Sequence, residues 1–182
     1  MPSKRRHDPE RRERIIEAAL DVIAEHGIAG TTHRRIAERA DVPLGSMTYH
    51  FTGLDELILA AFSRLYTEAA ARYEALLSQA QDAVQVQEAV VELICGQWWS
   101  ERNKVLESEF YAYASRMPAL KSLLSEWVSV FDQLFKRYFS DAKARALLAF
   151  IEGVCVYNRT YDKPMTRTEV AESVRRLSAD LG

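Results

Sequence analysis

Residues 31–51, TTHRRIAERADVPLGSMTYHF, decide how the rest of the chain is read. Ile36, Ala37 and Ala40 fall on one side of a short helix that begins after Thr31. Asp41-Val42-Pro43 then breaks the pattern, because proline removes a backbone donor and restricts the residue before it. A second short helix runs from Leu44 to His50 and stops at Thr52-Gly53. Short helix, tight break, short helix is the punctuation of a helix-turn-helix. In such a unit the first helix crosses the DNA backbone and the second enters the major groove. Thr31, Thr32, His33 and Arg34 cluster at a helix N-terminus, where hydroxyls, basic groups and free N–H groups suit phosphates. Leu44, Gly45 and Ser46 give the second helix a slim leading end. Tyr49 and His50 close it and can donate to phosphate oxygens. Ile36, Ala37, Ala40, Val42, Met47 and Phe51 are the expected core. The same pattern could also serve packing alone.

Upstream, a helix is expected over 9–26. Asp8 suits the N-cap, Pro9 the first helical position, and Gly27 a left-handed C-cap. Ile15, Ala19 and Ile23 repeat at i, i+4, i+8, with Ile16 and Leu20 widening the stripe. Residues 1–14 carry Lys4, Arg5, Arg6, Arg11, Arg12 and Arg14 against three acids, although the whole chain has net charge −2. Such a run reads either as a solvated N-terminus or, next to a helix-turn-helix, as a basic arm that reaches DNA.

The run T-T-x-x-x-I-A-x-x-A-x-V at Thr31, Thr32, Ile36, Ala37, Ala40 and Val42 resembles the signature of the TetR family of transcriptional regulators. Gly45, Tyr49, His50 and Phe51 match that pattern, as do Glu56 and Leu57 at the start of the fourth helix. Gly27 matches the glycine that ends the family's first helix. The resemblance covers residues 10–60. Three positions depart from it. Pro43 stands where a serine often caps the recognition helix, Thr48 replaces the first of two adjacent tyrosines, and Leu54 replaces a lysine. The resemblance implies an operator-binding homodimer with a helical ligand-sensing domain, a repressor released by a small molecule. Its implied DNA contacts are Lys4, Arg5, Arg6, Thr31, Thr32, His33, Arg34, Pro43, Leu44, Gly45, Ser46, Thr48, Tyr49 and His50. A member without an effector, or an activator, fits the same motif.

Beyond residue 53 strand patterns are absent and helix formers dominate, so the chain reads as all-α with about nine helices. The division is 1–53 for arm and helix-turn-helix, and 54–182 for a helical ligand-binding and dimerisation bundle. Helices are expected over 54–80, 83–99, 103–116, 119–139, 142–160 and 167–181. Sixteen of the 18 aromatics lie at or beyond Phe62, which places the large core in the second part. Leu147, Ile151 and Val154 stripe the penultimate helix, and Val170, Val174 and Leu177 the last. These stripes serve either the chain's own core or, as the resemblance implies, a dimer bundle, whose C2 symmetry sets two reading heads about 34–36 Å apart.

Tyr66, Trp98, Phe110, Tyr113, Trp127 and Phe131 are apolar bodies with, in part, polar tips, and each serves equally as core filler. Together with Glu152 they are the candidates for an effector site, and its nearby acids would suit a cationic or aromatic ligand. Helix 54–80, which abuts the recognition unit, is the expected carrier of the signal. No Glu-x-x-His, His-x-x-x-His, phosphate loop or nucleophile elbow occurs, so no catalytic residue, metal or cofactor is expected. Cys95 and Cys155 read as buried thiols. No stretch approaches the length of a membrane span and no apolar signal core opens the chain, which predicts a cytoplasmic protein.

Overall fold

The computed structural model describes residues 10–96 and 100–179. Lys4, Arg5 and Arg6 of the basic arm, the Asp8 cap and Trp98 lie outside them. Nine helices and no strand are found among the described residues: α1 (Arg11–His26), α2 (His33–Arg39), α3 (Gly45–His50), α4 (Leu54–Ser78), α5 (Ala83–Cys95), α6 (Glu101–Ala114), α7 (Pro118–Phe135), α8 (Asp141–Thr160) and α9 (Arg167–Ser178). None of the described helices is long and apolar enough to cross a membrane.

α1 is the centre of the first half. It buries Ile15, Ile16, Ala18, Ala19, Leu20, Val22 and Ile23, wider than one stripe, because α2 packs on one side and α4 and α6 on the other. Gly27 ends it in the left-handed region, φ 68°, with its N–H on the Ile23 carbonyl. A Cβ at Gly27 would also stand 3.2 Å from the Glu109 carboxylate of α6. The backbone conformation thus favours glycine, and a side chain there would also crowd Glu109. The head shares its core with the rest of the chain. A single buried cluster runs from Ile15 through Ile36, Met47 and Phe62 to Phe135 and Val174.

α2 is capped by Thr32, whose hydroxyl accepts from the Arg35 N–H at 3.3 Å. Arg39 fixes its far end to α1 through Glu25 at 2.5 Å and Asp21 at 3.7 Å. The turn into α3 is made by Asp41, φ 51°, a residue type that tolerates this conformation better than most. Ahead of α4 the Thr52 N–H and hydroxyl both donate to Glu56 of its first turn, which holds that carboxyl below its ordinary range. Its 25 residues span about 37 Å at 1.5 Å per residue, enough to carry the head's packing deep into the bundle.

α9 bears on an alternative that the sequence leaves open. Val170 and Val174 are fully buried within the chain, against α5 and α8, and Leu147 and Val154 of α8 are buried likewise. Ser178 accepts from the Gln87 amide at 2.8 Å, and Arg167 pairs with Glu92 at 3.0 Å. Leu177 is half-buried against the core, and Ile151 lines an interior cavity. Of the stripe residues, Leu147, Val154, Val170 and Val174 are thus packed within the chain's own core. α8 instead exposes Ala149, Gly153, Val156 and Tyr157, and Tyr157 stacks on Tyr161 at 4.5 Å.

Candidate functional site

The head separates what it packs from what it shows. Ile36 and Met47 are fully buried and Phe51 nearly so, while α3 turns Tyr49, 84% exposed, and Thr48 to solvent. Arg34, Pro43, Leu44 and Gly45 are exposed, whereas His33, Ser46 and His50 are half-buried. The His50 ring meets Tyr49 edge-on at 4.9 Å, which orients both. Pro43 brings no side-chain cap to α3; its carbonyl accepts from the Ser46 N–H at 2.8 Å. Thr48 bonds back to the Gly45 carbonyl at 3.2 Å. Thr31 departs from the expectation of a phosphate contact. It is buried, and its hydroxyl donates to the Gly27 carbonyl at 2.8 Å, closing the α1–α2 turn. Leu54 is half-buried against the core, as an apolar residue at the foot of α4 should be.

Behind the head, α6 grips α1 at two places that sequence reasoning missed. Arg102 reaches Asp21 at 2.8 Å and Glu17 at 2.6 Å. About two turns further on, Glu109 accepts the Ile28 N–H at 2.7 Å, just past the end of α1. Arg64 of α4 adds ion pairs to Glu13 and Glu17. The head thus rests on two helices of the bundle, α4 and α6. No local pattern signals a contact between residues 81 positions apart.

Inside the bundle, aromatic rings form a continuous stack. Tyr66 lies 4.4 Å from Phe110 and 4.9 Å from Trp127, Tyr73 lies 5.0 Å from Phe131, and Trp127 lies 4.8 Å from Phe131. Each such pair contributes about 0.5–1.5 kcal/mol beyond its buried area. Tyr113 is only partly buried and does not line the cavity at this stack. That cavity is nearly closed, about 20 Å³, with Tyr73, Trp127, Phe131, Glu107, Glu152 and Cys155 in its wall.

Its two acids differ. Glu107 of α6, 7% exposed, holds an ion pair with Arg159 of α8, which also reaches the Lys104 carbonyl at 3.4 Å. Glu152 accepts from the Tyr111 hydroxyl, and no cation among the described residues pairs with it. Burial pushes the Glu152 carboxyl above its ordinary range, and the Tyr111 bond offsets this only in part. Burial and the Glu152 charge also raise the Tyr66 and Tyr111 phenols, so both remain protonated donors. α6 therefore carries the cavity residue Glu107, the Glu152 partner Tyr111, and the α1 contacts Arg102 and Glu109 on one element.

A helix-turn-helix on α2 and α3, docked on a bundle with an interior polar-aromatic cavity, is the build of a one-component DNA-binding regulator. The family model for bacterial regulatory proteins of the tetR family matches residues 15–61. The structure of a TetR-family member from Streptomyces coelicolor A3 superposes with TM-score 0.79 at 37% identity, covering 94% of this chain and 100% of that one. The multidrug binding protein EbrR in complex with ethidium gives TM-score 0.75 at 39% identity, covering 94% of this chain and 99% of the other. EbrR has also been captured with proflavin and malachite green. The HTH-type transcriptional regulator BetI of Escherichia coli (strain K12) is 27% identical over 183 residues, 92% of this chain and 91% of BetI. This chain belongs to the TetR family and is a transcriptional regulator of that family.

Proposed function

We propose that the protein is a homodimeric repressor released from its operator by a hydrophobic aromatic cation. One observation carries the effector class: Glu152 is a half-buried acid that pairs with no cation among the described residues, in one cavity wall with Tyr73, Trp127 and Phe131. A carboxylate partly withdrawn from water without a counter-charge is unfavourable, and a cation over aromatic faces relieves it while gaining cation–π attraction. The cations bound by EbrR support the same class. A ligand of that size must part the helices around a cavity of about 20 Å³. α6 and α4, which hold both cavity and α1, then carry the displacement to the head. Release follows only to the extent that the cation binds the displaced state more tightly.

Each head reads DNA through the exposed edge of α3. Ser46 and Gly45 face base edges, and Tyr49, His50, Thr32, His33 and Arg34 position the phosphates, with Lys4, Arg5 and Arg6 supplying an arm. The dimer forms through the exposed Ala149, Gly153, Val156 and Tyr157 face of α8, small enough at Gly153 for close helix approach. A second reading, a DNA-binding member without an effector, is favoured by the tightness of the same cavity. The experiment selects bound sequences from random DNA, then titrates malachite green into the complex with a DNA-only control for dye uptake. The proposal expects a two-fold symmetric site and dye-driven release. Dye binding without release, or no binding, leaves the second reading.

A further inference from the structure

A second cavity, about 430 Å³ and open to solvent, lies where the end of α5, the start of α6, the last turns of α8 and the α8–α9 connection meet. Among the described residues its wall contains three cations, Lys104, Arg159 and Arg167, and no acid. Ile94 and Met165 add apolar surface, and both thiols of the chain, Cys95 and Cys155, face the same space. The carboxylates that pair with these cations lie outside the wall: Glu101 at 2.5 Å from Lys104, Glu92 at 3.0 Å from Arg167, and Glu107 on Arg159. The first two pairs are solvent-exposed and so weakly held.

The third pair has a different position. Arg159 belongs to the open cavity and Glu107 to the closed aromatic one, and Cys155 lines both. The ion pair is the partition between them.

We propose that the open cavity is a second small-molecule site, taking an amphipathic organic anion whose carboxylate binds Arg159 while Lys104 and Arg167 flank its mouth. Its volume falls in the range of small-molecule sites, and a guanidinium matches a carboxylate in two parallel hydrogen bonds. Burial disfavours the Arg159 charge, so a further anion beside it is welcome.

An anion there competes with Glu107 for Arg159. Glu107 then faces the aromatic cavity without its partner, beside Glu152, and a cation entering that cavity is held more strongly. Anion and cation therefore promote each other's binding, equally in both directions. This coupling rests on the cation reading above; the anion site itself does not.

The test uses 4-phenylbutyrate on the full-length protein. Methyl methanethiosulfonate at alkaline pH reports on the two thiols, since burial holds both above their ordinary range and pushes Cys155 up to about 12. Phenylbutyrate should slow labelling of Cys95 and Cys155 together, and Lys104→Gln/Arg167→Gln should weaken its binding about tenfold. Saturating phenylbutyrate should lower the malachite green Kd by about fivefold or more, read by calorimetry. Unchanged labelling of both thiols, or equal binding by wild type and double variant, overturns the anion site. Dye affinity unchanged or reduced by phenylbutyrate overturns the sharing of Arg159. A dye that does not bind at all removes the cation reading and the coupling, while the labelling still decides the anion site.

Discussion

Tyr49 in the head and Tyr66 in the bundle are the same side chain in opposite settings, one 84% exposed on α3 and the other 7% exposed among rings. The contrast extends to their surroundings. The head stands on an apolar core of Ile36, Met47 and Phe51 and presents its polar groups to water. The bundle turns Glu107, Glu152, Arg159 and Tyr111 toward one another inside. In the head, chemistry and stability reside in different atoms, so the reading surface can change without unfolding. In the bundle they reside in the same atoms, so any ligand that uses them must also move the helices they hold together.

The comparison breaks most readily at the partition. Arg159→Met strands Glu107 in the interior, and loss of one partner of a buried pair costs about 3–5 kcal/mol. Thermal melting should show this large drop, with most of it recovered in Arg159→Met/Glu107→Gln. Tyr49→Ala should do the reverse. Melting stays within about 0.5 kcal/mol of wild type, while affinity for all duplexes falls by about 0.5–1.5 kcal/mol, the worth of one neutral hydrogen bond. Melting that falls with Tyr49→Ala would erase the distinction between the two regions.

Glu152→Gln sharpens the bundle's side. The folded Glu152 carboxyl lies above its ordinary value, so the folded state holds its proton longer than the unfolded chain. Its contribution is full below the ordinary carboxylate range and is lost as pH rises from there through the raised value. Melting against pH should therefore fall less steeply across that window in Glu152→Gln than in wild type. An identical profile would show that Glu152 already has a counter-charge. The smallest effect is expected at Arg34, whose side chain is 83% exposed and, among the described residues, pairs with Glu38 at 3.0 Å. Arg34→Ala should leave melting unchanged and reduce the slope of log affinity against log salt by about 1. An unchanged slope removes Arg34 from the phosphate contacts.

Much of the head is legible in sequence because its determinants are local. Thr32 caps α2, Asp41-Val42-Pro43 turns the chain, and Gly27 ends α1, each within a few residues of what it acts on. Even there Thr31 misleads, since adjacent threonines look alike until one is seen to close the turn onto Gly27. The bundle is legible only as composition. Glu152 and the aromatics Tyr66, Phe110, Trp127 and Phe131 do meet, yet nothing in their spacing tells cavity wall from filler. Arg159 and Tyr111 carry no signal at all, and Cys155 reads only as a thiol in an apolar helix.

The stripes on α8 and α9 show the limit most plainly. An apolar repeat at helical spacing states that a face is buried and is silent about its partner. Val170 and Val174 found α5 within the same chain, and the face left exposed on α8 is one the periodicity did not mark. By itself the sequence determined nine helices in order, the helix-turn-helix and its family, because helix pattern, caps and turns act over a few residues. Tertiary structure alone decided which stripe faces which, that Arg159 divides two cavities, and that α6 ties the inner one to α1. Those depend on pairs tens of residues apart, such as the 52 between Glu107 and Arg159, whose meeting is set by packing that no local window contains.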